Sequence, residues 1–204
     1  MNNTNEVVLK GKVISNIVKD YTYKGTEYYK FYVKVMRLSK NFDVLPVIVP
    51  KPILLARVEP LKKYDDVTVI GEYRSFNDLA KGKKVILYAY AKEIKIAEHE
   101  TNERENNKIL MDGHICKIGD YRISPNGRKV VDVIIAVNRY KKTSYIPCII
   151  WNWDVNGATE LKVGDEIYII GRIQSREYLK RYDEENSEMK IAYEVSVSKF
   201  GIID

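Results

Sequence analysis

Four aromatic and seven basic residues in the C-terminal half of the chain have the types and spacing to hold a nucleic-acid strand. Tyr140, Tyr145, Trp151 and Tyr178 fall near strand ends or the loops that follow them. Arg122, Arg128, Arg139, Lys141, Lys142, Arg172 and Arg176 are interleaved with them. An aromatic face stacks any base, for about 1–3 kcal/mol each. Lys and Arg add a salt-dependent attraction for phosphate. Each residue alone also has a plain structural reading. Trp151 alternates out of the apolar run PCII and fits a stacking or a core position. A single Lys or Arg is ordinarily a solvated surface charge. The stretch AVNRYKKTSYIPCIIWNW (136–153) is therefore either an ordinary hairpin with a basic turn or part of a binding surface; only the joint pattern carries information.

Other chemistry has little to stand on. There is no G-x-x-x-x-G-K-[ST] loop and no G-x-G-x-x-G after a strand, so neither nucleotide hydrolysis nor dinucleotide binding is expected. His99 and His114 lack a neighbouring Cys or His at ligand spacing, so no metal is expected. Asp65–Asp66 and Asp165–Glu166 sit at strand starts and read as turn residues, not general acids. No catalytic residue and no cofactor are assigned. Cys116 and Cys148 lie in apolar strand-like runs and read as two buried thiols of a reducing compartment. MNNTNE lacks the pattern of a signal peptide, and no apolar run approaches the ~20 residues needed to span a bilayer. A soluble cytoplasmic protein is the expectation. A net charge of +6 is a mild bias toward polyanions.

The elements that must position these residues are written twice. Gly11 and Gly113, Gly25 and Gly127, and Arg37 and Arg139 are each 102 positions apart. Pro46 and Pro147 follow at 101, and YDDVTVIGEYRS (64–75) matches GDEIYIIGRIQS (164–175) at 100. Small loop deletions produce such a drift. Two copies follow, over 1–97 and 108–204, joined by the polar segment 98–107. Period-two alternation predicts strands near 6–18, 27–37, 43–50, 66–75 and 84–96. In the second copy they fall near 108–119, 129–140, 144–151, 165–176 and 189–200. ILLARVEPL (53–61) and WDVNGATEL (153–161) lie between strands three and four and are long enough for one or two helical turns. The fold class is all-β: two tandem OB-folds, five-stranded Greek-key barrels, each with a short helical segment between strands three and four. Trp153 would then pack over a barrel end.

The second copy resembles the bacterial single-stranded DNA-binding protein (SSB) family. The resemblance rests on RISPNGRKVVDVIIAVNR (122–139), YIPCIIWN (145–152), Ala158, Leu161, VGDEIYIIGRIQSREY (163–178) and YEVSVSKFG (193–201). It implies base stacking at Tyr145, Trp151 and Tyr178, with Tyr140 near a further stacking place. It also implies basic contacts at Arg139, Arg172 and Arg176. Tandem members of the family form homodimers with four OB-folds. Members usually continue into a flexible tail with an acidic tip that recruits replication and repair proteins; this sequence ends in FGIID, so a member without that tail is the expectation.

Where the second copy has Tyr145, Trp151 and Tyr178, the first has Val44, Pro50 and Asp78. The first copy's aromatics lie elsewhere: Tyr21, Tyr23, Tyr28, Tyr29, Tyr32, Phe42, Tyr73 and Phe76. Residues 1–105 hold 19 Lys/Arg against 14 Asp/Glu, and 106–204 hold 15 against 14. The first copy is thus read as an electrostatic track or as a scaffolding barrel. The functional expectation is a low-specificity single-stranded DNA-binding protein of replication, recombination or repair. The alternatives are a primosomal or accessory adaptor that works through replication or recombination proteins, and an OB-fold for structured RNA or carbohydrate.

Overall fold

Alternating Val, Ile, Leu and Tyr give each half of the chain one apolar strand face, and one continuous sheet closes around those faces as two barrels. The computed structural model describes residues 4–78, 84–96, 105–124, 126–139, 142–151, 161–181, 183 and 186–203. The first copy contains β1 (Asn5–Val13), β2 (Val18–Tyr23), β3 (Thr26–Met36), β4 (Phe42–Pro50), β5 (Asp66–Asp78) and β6 (Lys84–Ile96). The second contains β7 (Asn107–Ile123), β8 (Lys129–Arg139), β9 (Lys142–Trp151), β10 (Glu166–Arg181) and β11 (Ser187–Ile202). Five strands of the first copy close in the order β1-β5-β6-β4-β3 and back to β1, with β4 and β6 parallel. The second closes in the same way through β7-β10-β11-β9-β8, with β9 and β11 parallel. These are two five-stranded OB barrels. Phe31, Val33, Val47 and Val69 fill the first, and Ile115, Ile135, Ile146 and Ile169 the second.

The helix α1 spans Lys51–Leu55, starting directly after β4 and before the sequence-expected segment 53–61. Pro52 suits the first turn, where an N–H has no helical partner anyway. The corresponding segment 153–161, with Trp153, lies outside the described residues except for Leu161, which is buried.

The strand expected over 6–18 is two strands. β1 ends at Val13, and the Ser15 hydroxyl accepts the Tyr32 N–H at 2.9 Å where a continuing ladder would put a carbonyl. β2 then forms a hairpin with β3, its side chains exposed throughout. In the second copy β7 runs unbroken but carries bulges at Ile115/Lys117 and Ile118/Tyr121. The first of these turns Cys116 outward, so only Cys148 is the buried thiol expected of both.

Glycine marks where each barrel bends. The β5–β6 register shifts at Ile70/Gly71 and the β10–β11 register at Ile170/Gly171. A Cβ on Gly71 would stand 1.9 Å from the Tyr90 carbonyl oxygen, and one on Gly171 2.4 Å from that of Ser196. Only glycine lets those backbones meet. A third pair breaks the repeat. Gly164 has φ +104, and its equivalent Tyr64 holds φ +78. Tyr64→Gly is expected to raise stability by about 0.5–1 kcal/mol, because relief of left-handed strain outweighs the added chain entropy. A thermal melt would show a rise of about 1–4 °C; a fall would mean that the exposed ring contributes more than the strain costs.

The two barrels are joined by pairing of their first strands. β1 and β7 run antiparallel, with Val7 opposite Ile109, its own repeat equivalent. Lys10 N–H donates to Asn106 O at 2.7 Å and Asp112 N–H to Thr4 O at 3.0 Å. The Asn5 amide clamps both backbone groups of Tyr73 at 2.8 and 2.9 Å; Asn107 clamps those of Ile173 at 2.6 and 2.9 Å. This is an isologous interface, the kind formed by two copies of one subunit, built inside a single chain. It occupies strand edges that would otherwise invite pairing with another molecule.

Candidate nucleic-acid interface

On the outer face of the second barrel, β8 and β9 place Ile134, Pro147 and Ile149 side by side as an apolar floor. The groove above them has a volume of about 350 Å3, and Lys117, Arg122 and Arg176 rim it. Tyr145 and Trp151 lie on the same β9 face at period two, before and after Pro147 and Ile149. Tyr145 is 49% exposed. Trp151 is half-buried, and its indole N–H donates to the Ser196 hydroxyl at 2.9 Å, which fixes the ring against β11. Arg122 is bidentate on Asp132, with one bond at 3.0 Å, and Arg176 lies 3.7 Å from Glu194. Both arginines are exposed, at 47% and 60%.

The first barrel has the same groove at repeat-equivalent positions: Tyr32, Pro46 and Ile48 form its floor. Its volume is about 660 Å3. It is larger because the β10–β11 hairpin of the second copy forms one wall, contributing Tyr178, Met189 and Ile191. A second cleft of about 660 Å3 adjoins it, sharing Asp20, Phe76 and Tyr88. Its first-copy walls carry Tyr21, Tyr23, Tyr28, Tyr90 and Arg74, and its second-copy wall Arg139 and Lys142.

The sequence-predicted residues thus separate into groups. Tyr145, Trp151, Arg122 and Arg176 gather around the second-copy groove. Tyr178 faces the first-copy groove instead. Arg139 and Lys142 lie on the core-side parity of their strands and reach past the barrel end to the first copy; Arg139 approaches Glu72 at 3.6 Å. Arg172 is half-buried, and burial followed by the Arg37 charge lowers its guanidinium pKa. Arg128 is exposed at the β7–β8 turn, where its N–H donates to the Ser124 hydroxyl at 3.1 Å. Tyr140 and Lys141 fall outside the described residues. The first-copy tyrosines Tyr21, Tyr23 and Tyr28, which the sequence places away from the positions equivalent to Tyr145, Trp151 and Tyr178, line the second cleft. The signal was in the cross-strand pairs: Val130 opposes Trp151 in the second copy, and Tyr28 opposes Pro50 in the first. Each pair keeps one aromatic, on opposite strands.

Two barrels with aromatic and cationic grooves define a tandem OB-fold architecture. Residues 106–201 match the Single-strand binding protein family. The single-stranded DNA-binding protein of Bacillus cereus is 34% identical over 80 residues, covering 35% of this chain and 47% of that protein. Single-stranded DNA-binding protein 3 of Streptococcus agalactiae is 32% identical over 80 residues, covering 35% of this chain and 58% of its own length. The chain spans about half the length of the curated relatives it matches. The wild-type single-stranded DNA binding protein of Thermus aquaticus superimposes with a TM-score of 0.75 at 19% identity, covering 100% of this chain and 95% of that one. That likeness extends the shared fold across both barrels.

Proposed function

We propose that this chain is a non-catalytic single-stranded DNA-binding protein of low sequence specificity that serves replication, recombination or repair. The observation that carries the reading is the second-copy groove. An apolar floor is flanked by Tyr145 and Trp151 and rimmed by Lys117, Arg122 and Arg176, within the stretch that matches the family. Flat rings accept bases of any identity, and the rim supplies phosphate contacts. The partner in assembly is a second copy of the chain, giving four barrels: among the described residues the exposed hairpin strand β2 pairs with β3 alone and leaves an edge for it.

Trp fluorescence during titration with oligo-dT tests the DNA reading. The chain has two Trp, Trp151 and Trp153, both beside this groove in sequence. Quenching with salt-sensitive, sub-micromolar affinity is expected. Tyr145→Ala with Trp151→Ala should weaken binding by about thirtyfold or more, since each stacked base contributes about 1–3 kcal/mol and two are lost. Unchanged affinity in that double variant would remove this surface from the mechanism.

A further inference from the structure

We propose that the cleft between the two copies is a second, composite station for the strand, in which first-copy tyrosines take an unstacked base and Arg139 and Lys142 of the second copy hold its phosphate. The inference rests on the single-strand reading above and deepens it. It changes the role of the first copy, which becomes a stacking surface with its own set of rings.

Three observations meet at this cleft. The first is its ring geometry. Tyr21 and Tyr28 stack at 4.6 Å with an interplanar angle of 12°, and Tyr90 lies next to them, tilted by 45° with its centroid 6.4 Å from that of Tyr28. Tyr21 and Tyr23 stay 37% and 48% exposed, so apolar ring surface is left open at the mouth. A base extending such a row at its open end stacks one of its faces on the terminal ring.

The second is charge. Glu72 is 12% exposed and is approached by three cations: Lys92, Arg74 and Arg139, at 2.5, 2.7 and 3.6 Å. Burial would raise its pKa, but hydrogen bonds from Lys92 and Arg74 hold it below the usual carboxylate range. One carboxylate cannot neutralise three cations, and Lys142 adds a fourth with its Nζ 4.9 Å from the centre of the Tyr23 ring. Among the described residues that line the cleft, Arg74, Arg139 and Lys142 face one acid, Asp20. The excess is positive, which suits a phosphodiester. Phenols are neutral near pH 7 and do not repel phosphate, and burial followed by the neighbouring tyrosine rings pushes those of Tyr21 and Tyr28 further up.

The third is continuity. The cleft shares Phe76 and Tyr88 with the first-copy groove, where these rings meet edge-on at 5.8 Å. From there the path reaches Tyr178 on the second-copy hairpin. Lys142 begins the same strand that carries Tyr145 and Trp151. Lys142 in turn stands over the Tyr23 ring, so β9 links the second-copy groove to the cleft.

The test is photo-crosslinking of the full chain to an oligothymidylate carrying 5-iodouracil, with crosslinked peptides mapped by mass spectrometry, alongside the double variant Tyr23→Leu, Arg139→Gln. Both substituted side chains reach the surface, so the melting temperature should hold. Crosslinks to peptides containing Tyr23 or Tyr28, and roughly tenfold weaker binding of the variant, are expected. Crosslinks confined to the peptides of Tyr145, Trp151 and Tyr178, or unchanged affinity in the variant, overturn the composite station and leave the single-strand reading standing. Failure of the full chain to bind the oligonucleotide overturns both.

Discussion

Asp43→Asn is expected to destabilise the chain by about 2–4 kcal/mol, because it removes one partner of a buried ion pair and strands the other. The Asp43 side chain is 1% exposed and Arg37 22%. Arg37 grips it with both arms of the guanidinium, Nε to Oδ2 at 2.7 Å and Nη2 to Oδ1. The hydrogen bond to Asp43 raises the Arg37 pKa, and burial only partly opposes it. The same carboxylate crosses between the barrels. Its Oδ1 accepts the Ser175 N–H at 2.6 Å and the Ser175 hydroxyl at 3.1 Å, while Arg37 Nη2 donates to Ser175 O at 3.0 Å. An asparagine would leave the guanidinium without its counter-charge and turn an N–H2 toward donors. The residual exposure of Arg37 moderates the penalty from the full range of 3–5 kcal/mol for breaking a buried pair. In a thermal melt the loss should appear as a fall of about 4–16 °C. The other side of the pseudo-two-fold supplies an internal control. There Ser144 takes the place of Asp43; its hydroxyl accepts the Ser75 N–H at 3.2 Å, and the Ser75 hydroxyl accepts the Tyr145 N–H at 2.7 Å. Ser144→Ala should cost about 1 kcal/mol, the scale of a neutral hydrogen bond. Equal losses in the two variants would show that the Arg37–Asp43 charges add nothing to the join.

That join marks the limit of what the sequence can express. Each barrel was legible because its strands alternate at period two and because the spacings 102, 101 and 100 keep their order over five elements. The join was not, because Asn5, Asn106 and Asn107 carry no apolar signal. Asn107 reads as the end of a polar linker, yet its amide closes the Ile173 backbone and Asn106 is buried. The break between β1 and β2 hid in the same way: one serine hydroxyl replaces a ladder bond, and no composition shift announces it. For the site, spacing located the basic and aromatic residues but not the barrel each one serves. Arg139 and Lys142 adjoin Tyr145 in sequence, yet strand parity sends them toward the first copy. Tyr178 lies far along a hairpin whose length carries it across the join.

Removing the rim of the second-copy groove should flatten the salt dependence of binding, and removing a ring should not. With Lys117→Ala, Arg122→Ala and Arg176→Ala combined, the slope of log affinity against log salt for oligo-dT should shrink by about 2, since each lost single-strand phosphate contact removes about 0.7. Two of the three cations are already engaged, Arg122 with Asp132 and Arg176 with Glu194. Phosphate can still displace those carboxylates, because exposed pairs of this kind are worth only about 0–1 kcal/mol. The displaced Asp132 would then stand beside the phosphate it yielded to and repel it, so Asp132→Asn should tighten binding in low salt. Trp151→Ala works through the other half of the mechanism: affinity should fall at every salt concentration by a similar factor, with the slope retained. The pair of variants separates the two terms in one titration series. If the triple variant kept the parent slope, the phosphates would run elsewhere, and the four cations around Glu72 and Tyr23 would be the place to find them.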